Sequence, residues 1–244
     1  MLSKALNLPS LSTIYRHADR LHIRPSIAFP TESEVLANIK TVCGHAQATK
    51  PPIRGFSLLI DEIALEECVR YSLAEDTLIG LCRECTTPGR LQNMTGRPVS
   101  DLYDLKQMLD SGECHRAKEA SVIAVAPFGP DHYTPMAIAL SGTCKTETVD
   151  RQLALIRLAY KAYTDSPHGA VALGPIWSIE TDGDAGRRLV LFRLCTSHVL
   201  SPPSELYLLL HSLELMNLAC GEDEITHNGD FKHEEKRKSI SLLT

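Results

Sequence analysis

The sequence lacks the features of a membrane or secreted protein. It has no uninterrupted apolar run near the roughly 18 residues that a membrane-spanning helix needs. Its N-terminus has no charged segment followed by an apolar one and a small-residue cleavage site. With 244 residues, 43% of them hydrophobic, the chain can still bury a substantial core. We therefore predict a globular protein that is soluble and intracellular, with no membrane partner.

Nucleotide-binding motifs are missing too. Neither G-x-G-x-x-G nor G-x-x-x-x-G-K-[ST] occurs in the chain, so no motif supports a Rossmann enzyme or a P-loop ATPase. Aromatic residues are scarce at 5%, and Trp177 is the sole tryptophan. We expect Trp177 to pack in the core rather than to stack on a nucleic-acid base.

The eight cysteines are scattered through a chain that is too long and too hydrophobic to need disulfides, which favours reduced thiols. Cys82 and Cys85 form a C-x-x-C pair, and with Cys114 and His115 they would provide enough ligands for tetrahedral zinc. Because the adjacent Cys114 and His115 cannot easily reach one ion, we favour unligated thiols over zinc. Cys144 is expected to be a buried thiol, since no histidine or asparagine can be tied to it as a catalytic partner.

Charge is unevenly distributed along the chain. Residues 1–54 have a net charge of +4, whereas residues 55–244 have a net charge of -9. A basic segment joined to an acidic body suits a polyanion-binding piece attached to a domain that holds cations. Ordinary charge scatter is the alternative.

Residues 1–47 are predicted to form a helical, helix-turn-helix-like DNA-binding segment. The stretch LPSLSTIYR has a small-residue turn followed by a helical pattern, and TESEVLANIKTVCG opens with a cap and acids that favour a further helix. Two packed helices that never touch DNA would look the same. Residues 48–54 are predicted to be a linker. The candidate DNA-binding side chains here are Ser12, Thr13, Tyr15, Arg16 and Arg20.

Residues 55–244 change to a strand-rich pattern. FSLLIDEIAL, CVRYSL and TLIGLCRE are strand candidates, with SLAED as a hairpin turn. Residues 86–118 are expected to be an insertion around a helix at SDLYDLKQMLD. The strands ASVIAVAP and PMAIALSG follow, then a helix at TVDRQLALIRLAYKAYT, the strand GAVALGPIWSIET and helices at AGRRLVLFRLCTSHV and SELYLLLHSLELMNLAC. This order predicts an α/β fold with a mixed sheet.

Two acids stand where apolar strands end, Asp61 after SLLI and Asp182 after PIWSIET. A carboxylate flanked by apolar residues is costly to keep ionised unless a cation or a donor compensates it. Mg²⁺ is such a cation, and paired ions support phosphodiester chemistry, although that arrangement needs a third acid. Alternatively, Asp61 pairs with Arg70 or Arg83, and Asp182 or Asp184 caps a helix.

The chain resembles the P-element type of DNA transposase, in a form typical of fungal mobile elements. The resemblance is carried in series by LPSLSTIYR, LLIDEIAL, TPMAIALSGTCKTET, IETDGDAGRRLVLF and NGDFKHEEKR. It implies an RNase H-like catalytic domain with metal-binding acids over residues 55–244, preceded by the helix-turn-helix. It also implies DNA strand cleavage and transfer at transposon ends with Mg²⁺ or Mn²⁺, a nuclear location and a possible homo-oligomer.

Matched motif by motif, the resemblance assigns catalytic and metal-binding roles to Asp61 and Asp182. Glu62, Asp184 and Asp230 are the further acid candidates. In the D-x-x-H element GDFKH, Asp230 stands with His233, and basic residues lie nearby. The C-terminal residues expected at DNA are Lys232, His233, Lys236 and Arg237.

The sequence also departs from that family. Where an asparagine is usual shortly after the second acid, this chain has Gly186, Arg187 and Arg188. The family's third acid is expected well beyond the D-x-x-H element, and the sequence ends at Thr244. We therefore expect a C-terminally truncated RNase H-like domain with little or no catalysis. The alternative is a non-catalytic DNA-binding or scaffold protein that retains the fold.

Overall fold

The computed structural model describes residues 23–44, 55–73, 76–84, 98–129, 134–182 and 184–229. Within these ranges, the strands are β1 (Phe56–Ala64), β2 (Arg70–Ser72), β3 (Thr77–Ile79), β4 (Glu119–Pro127), β5 (Met136–Thr143), β6 (Ile176–Thr181), β7 (His198–Val199), β8 (Ala219–Cys220) and β9 (Thr226–Gly229). The α-helices are α1 (Glu32–Cys43), α2 (Val99–Ser111), α3 (Val149–Asp165), α4 (Ala170–Leu173), α5 (Ala185–Cys195) and α6 (Glu205–Leu210), and a 3₁₀ turn spans Glu222–Glu224.

Five strands form the main sheet in the order β5-β4-β1-β6-β9. β4 runs antiparallel to β1 and to β5, whereas β6 runs parallel to β1 and to β9. One antiparallel strand therefore lies between parallel ones, with the first long strand at the centre. This five-stranded mixed sheet, flanked by helices, confirms the predicted α/β fold class and is consistent with an RNase H-like fold.

One face of the sheet carries the main core. Leu58 and Ile60 in β1 are buried together with Ile123 in β4 and Ile179 in β6. Leu58 and Ile60 face the same side because successive side chains of a strand alternate between its two faces. The buried helical residues that belong to the same core are Val35 and Ile39 of α1, Ile156, Ala159 and Tyr163 of α3, and Val190 and Leu191 of α5. Burying one such aliphatic side chain contributes roughly 1.5–3 kcal/mol.

The helix predicted at residues 31–44 forms as α1 and has a complete capping box. The Thr31 side chain accepts a hydrogen bond from the Glu34 backbone N–H at 3.3 Å. In return the Glu34 carboxylate accepts from the Thr31 N–H at 2.7 Å. Two N-terminal donors that a helix leaves without partners are satisfied in this way. The remaining predicted elements of this segment, residues 1–22, and the linker at 48–54 lie outside the described residues.

A small unit beside the main sheet, which we call the hairpin unit, combines β2 and β3 with α2, and α2 lies within the predicted insertion at residues 86–118. β2 and β3 form an antiparallel hairpin that is separate from the main sheet. The helix expected at SDLYDLKQMLD is α2, whose Leu105 and Met108 join Leu78 and Leu81 in a second core. The three consecutive strand candidates therefore divide between two sheets.

Two predictions about the second half of the chain are wrong in part. GAVAL was assigned to a strand, but Ala170–Leu173 forms the short helix α4 and the strand begins at Ile176. The long helix expected at SELYLLLHSLELMNLAC extends only over Glu205–Leu210. Leu208 and Leu209 are exposed, so no core contact among the described residues supports a longer amphipathic helix.

The expectation for Trp177 is also wrong. Its side chain is 48% exposed and stacks on Phe128, with ring centroids 6.0 Å apart. The neighbouring positions of β6, Ile176 and Ser178, are buried instead.

Of the helices among the described residues, none combines the length and the apolar character that crossing a bilayer requires.

Candidate functional site

The two acids that the sequence singled out lie at the same edge of the sheet. β1 and β6 are parallel neighbours whose last pair is Ile60 with Thr181. Asp61 and Asp182 are each one residue beyond that pair, so the backbone brings them to adjacent positions. Carboxyl ends of parallel strands are where open α/β sheets present their functional side chains.

Asp61 is exposed, and its Oδ1 accepts a hydrogen bond from the backbone N–H of Glu62 at 2.8 Å. The alternative that it pairs with Arg70 or Arg83 is not seen, because these guanidiniums bind Glu66 and Glu147. Strand alternation puts Asp61 on the face opposite to the main core.

Asp182 lies on the side of α5. Its Oδ1 is 3.8 Å from Nε of Arg187, and the Thr181 hydroxyl donates to the Asp182 carbonyl at 2.9 Å and to Oδ1 at 3.3 Å. Asp184 is the N-cap of α5, where its Oδ1 accepts from the backbone N–H groups of Gly186 at 2.9 Å and Arg187 at 3.2 Å. The capping interpretation therefore holds for Asp184.

Arg187 connects Asp182 to a second acid, Glu62. The guanidinium is buried, with only 7% of the side chain exposed, and its Nη2 donates to Oε1 of Glu62. Nη1 is also buried and has no hydrogen-bond partner. Among the described residues, contacts join Asp182 to Glu62 through Arg187, whereas no contact joins Asp182 to Asp61.

Two further charges extend this cluster along β4 and β5. Glu119, the first residue of β4, binds Nζ of Lys145 at 2.6 Å through Oε1. Its second oxygen, Oε2, is buried without a hydrogen-bond partner. The Ser121 hydroxyl donates to Glu62 at 3.3 Å. We refer to Glu62, Glu119, Lys145, Asp182 and Arg187 as the edge cluster.

Contacts within the edge cluster shift the pKa values of Glu62 and Glu119 in opposite directions. Burial and a hydrogen bond with Glu119 raise the pKa of Glu62 above its ordinary value, and Arg187 opposes them only in part. The hydrogen bonds with Lys145 and Glu62 hold the pKa of Glu119 below its ordinary value. Because the groups interact directly, they titrate as a pair.

This arrangement already balances most of its own charge. The three carboxylates of the edge cluster are faced by one guanidinium and one ammonium group. A divalent cation is therefore not required to compensate Asp182, and one that bound there would meet the Arg187 charge at close range. The sequence pointed to Asp61 and Asp182 but gave no indication that Glu119 and Lys145 join them. Their participation follows from strand pairing between β1, β4 and β5.

Several predicted site residues lie outside the described residues. They are Ser12, Thr13, Tyr15, Arg16, Arg20, Cys85, Asp230, Lys232, His233, Lys236 and Arg237. Within the described part of the chain, one group has three metal-ligating side chains with atoms within 4.8 Å of one another: Cys82, Glu84 and Cys144. It combines one residue of the predicted zinc set with two that the sequence did not connect to it.

Comparisons with known proteins return little sequence similarity. No family model matches the chain, and no curated protein matches it. Among solved structures, the chain is similar to one described as a Drosophila P element transposase strand transfer complex, with a TM-score of 0.40 and 12% sequence identity. The similarity covers 97% of this chain and 38% of the other. The chain thus spans well under half the length of that protein.

Proposed function

We propose that this chain is a transposase-derived protein whose RNase H-like domain binds DNA in the nucleus but does not cleave it. The single observation that carries the absence of cleavage is the position of Arg187. Its buried guanidinium contacts both Glu62 and Asp182, so it pairs with one of the two carboxylates that a catalytic cation would need. The motif series around Asp61 and Asp182 supports descent from enzymes of DNA strand cleavage and transfer.

In the catalytic form of this site, Asp61 and Asp182 would hold Mg²⁺ or Mn²⁺. Such an ion supplies an activated water or hydroxyl nucleophile and stabilises the leaving oxygen. The adjacent register of Asp61 and Asp182 and their hard oxygen donors fit that requirement. The ion pair of Asp182 with Arg187 opposes metal binding, because the Asp182 carboxylate is already paired with the Arg187 guanidinium.

Arg187 has a physical reason to stay where it is. It is buried in the first turn of α5, and the Asp184 cap accepts its backbone N–H and fixes that turn. Removing the guanidinium would leave Glu62 and Asp182 without their shared cation in a partly buried site. Breaking a buried pair from one side costs about 3–5 kcal/mol. We therefore expect Arg187, rather than a weakly bound metal ion, to compensate the charges of Glu62 and Asp182.

The test measures Mn²⁺ binding by calorimetry for the wild type, Arg187→Gln and Arg188→Gln. Arg188 is the matched control because it is the adjacent arginine but is exposed. We expect weak binding by the wild type and by Arg188→Gln, and at least about tenfold tighter binding by Arg187→Gln, since about 1.4 kcal/mol of relieved repulsion suffices. Adding Asp61→Asn and Asp182→Asn to Arg187→Gln should abolish that gain.

Two results would contradict the proposal. Tight Mn²⁺ binding by the wild type that is lost in the Asp61→Asn, Asp182→Asn variant would show that these acids hold a cation despite Arg187. Nicking of supercoiled plasmid by the wild type with Mn²⁺ would show that Arg187 does not prevent chemistry.

DNA binding is tested separately by fluorescence anisotropy with a duplex in EDTA. We expect the chain to bind the duplex with an affinity that falls steeply as the salt concentration rises, because contacts with phosphates release counterions. Absence of any DNA binding would remove the DNA partner and leave a scaffold role.

A further inference from the structure

A second cluster of metal-ligating side chains shares no residue with the edge cluster. Cys82 and Glu84 follow β3, His115 lies between α2 and β4, and Cys144 directly follows β5. Three segments that are distant in sequence therefore converge on one point. That point is the joint between the small hairpin unit and the main sheet.

The backbone holds these segments together independently of the side chains. The N–H of Cys82 donates to the carbonyl of His115 at 2.9 Å, and the N–H of Arg83 donates to the carbonyl of Gly142 at 2.9 Å. An isolated β-bridge between Leu81 and Arg116 adds to them. The ligand-bearing segments are thus positioned before any ion binds.

The side-chain distances suit one tetrahedral ion. The ligand atoms of Cys82, Glu84 and Cys144 all lie within 4.8 Å of one another, and Cys144 Sγ is 3.0 Å from Glu84 Oε2. His115 Nδ1 is 3.6 Å from Cys144 Sγ. Zinc bonds of about 2.3 Å to sulfur and 2.0–2.1 Å to nitrogen put neighbouring ligand atoms about 3.5 Å apart. The separations of Cys144 Sγ from Glu84 and from His115 are close to that spacing, whereas His115 lies outside the group of three and would move towards Cys82 and Glu84 on binding an ion.

Charge balance also suits a dication. Both thiols donate to the Glu84 carboxylate, so the group carries one negative charge in its protonated form. Releasing two thiol protons and binding one Zn²⁺ leaves that net charge unchanged.

Outer groups are in place to orient the ligands. The Thr143 hydroxyl donates to Oε1 of Glu84, and Oε2 accepts from the Cys144 backbone N–H at 3.2 Å and from the two thiols whose protons a metal ion would replace. The Thr146 hydroxyl lies 3.0 Å from Cys144 Sγ and can donate to a thiolate there. Partners of this kind fix the direction of metal ligands and raise affinity. Cys82 and Cys144 are buried, whereas His115 is exposed.

We propose that Cys82, Glu84, His115 and Cys144 form a structural zinc site that fastens the hairpin unit to the sheet. Four protein ligands leave no open position, which is typical of a structural zinc site rather than a catalytic one. The set replaces Cys85 and Cys114 of the sequence-based quartet with Glu84 and Cys144. This removes the difficulty that the adjacent Cys114 and His115 would both have to reach one ion.

The experiment uses the full reduced chain, freed of metal with a chelator and titrated with Co²⁺ and then Zn²⁺. We expect one Co²⁺ per chain, with the absorption bands of tetrahedral cobalt bound to two thiolates, and displacement of Co²⁺ by Zn²⁺. Cys144→Ser should keep only one thiolate–cobalt contribution and weaken Zn²⁺ binding more than about 100-fold, since losing an outer partner alone costs 10–100-fold.

Matched variants separate the two ligand sets. Cys114→Ala and Cys85→Ser remove cysteines of the sequence-based quartet that the new set does not use, and both should bind Zn²⁺ like the wild type. Glu84→Gln retains an oxygen acceptor while losing the charge, and should bind Zn²⁺ more weakly with its fold intact by circular dichroism.

The proposal is overturned if the wild type binds no zinc, or if Cys144→Ser binds it as tightly as the wild type. Recovery of the purified chain with Cys82 and Cys144 joined as a disulfide, even under reducing conditions, would also overturn it. Because Mn²⁺ prefers oxygen ligands and Zn²⁺ tolerates thiolates, the outcome is distinguishable from that of the edge cluster.

Discussion

The buried ion pair of Arg83 and Glu147 allows a quantitative prediction. Each side chain is only 2% exposed, and the guanidinium binds the carboxylate through two contacts, Nε to Oε1 at 3.1 Å and Nη2 to Oε2 at 2.6 Å. Nη1 also donates to the Ser141 carbonyl at 3.3 Å and hydroxyl at 3.1 Å. The pair crosses from the end of the hairpin unit to the segment before α3.

The perturbation is Glu147→Gln, which keeps the shape and removes the charge. It leaves the Arg83 guanidinium buried without a counterion, and breaking such a pair from one side costs about 3–5 kcal/mol. For a domain of this size, about 2–4 °C of melting temperature accompanies each kcal/mol, so we expect a fall of roughly 6–20 °C. The double variant Arg83→Met, Glu147→Leu should recover most of that loss, because no charge remains buried.

The assay is urea unfolding followed by circular dichroism of the wild type, Arg83→Met, Glu147→Leu and the double variant, which form a double-mutant cycle, with Glu147→Gln measured beside them. Lys106→Met provides the control, since Lys106 and Asp110 form an exposed pair on α2. Such surface pairs contribute at most about 1 kcal/mol. The reasoning is refuted if Glu147→Gln costs no more than Lys106→Met, or if the double variant is as unstable as the sum of the single changes.

Two further predictions concern a thiol and a glycine. Burial raises the pKa of Cys43 to about 11, so its thiolate is scarce at pH 8 and iodoacetamide should label it only on unfolding, after the more accessible Cys68. The resulting stabilisation is fully present below the unfolded pKa of about 8.5 and is lost as pH rises towards 11, and a Cys43→Ala variant should lack that alkaline loss. Gly80 has φ +93°, and an added Cβ would lie 2.2 Å from the Cys68 carbonyl oxygen. Gly80→Ala should therefore destabilise the hairpin unit by about 1–3 kcal/mol, measured as a lower urea midpoint; an unchanged midpoint would contradict the assigned turn.

Hydrophobic periodicity predicted those elements whose local pattern agrees with their packing. β1 forms where apolar residues repeat every two positions, and α3 forms where they repeat every 3.6 positions. Each element buries these apolar positions in the same core. The stretch from Glu205 to Cys220 has a helical composition, but only its first turns form a helix. Composition could not reveal that Leu208 and Leu209 have no core to pack against.

Strand pairing explains what was missed at the candidate sites. Asp61 and Asp182 are visible in the sequence because each ends an apolar run. Glu119 is not, since its role depends on β4 running antiparallel to β1 and pairing Glu119 with Ala64. The same holds for Cys144, which the pairing of β5 with β4 brings towards Cys82. Partners that meet only through register have no local signature.

The position of Arg187 connects the departure in sequence to the chemistry of the edge cluster. Asp184 caps α5 and so fixes the direction in which the first turn projects its side chains. With arginine at position 187, that turn directs a cation towards Glu62 and Asp182. A neutral side chain on the same turn would leave these acids to a diffusible ion, since buried carboxylates need some positive partner. Under the proposed function, Arg187 in the first turn of α5 decides between an ion pair and a metal site, while the sheet that gathers the acids stays the same.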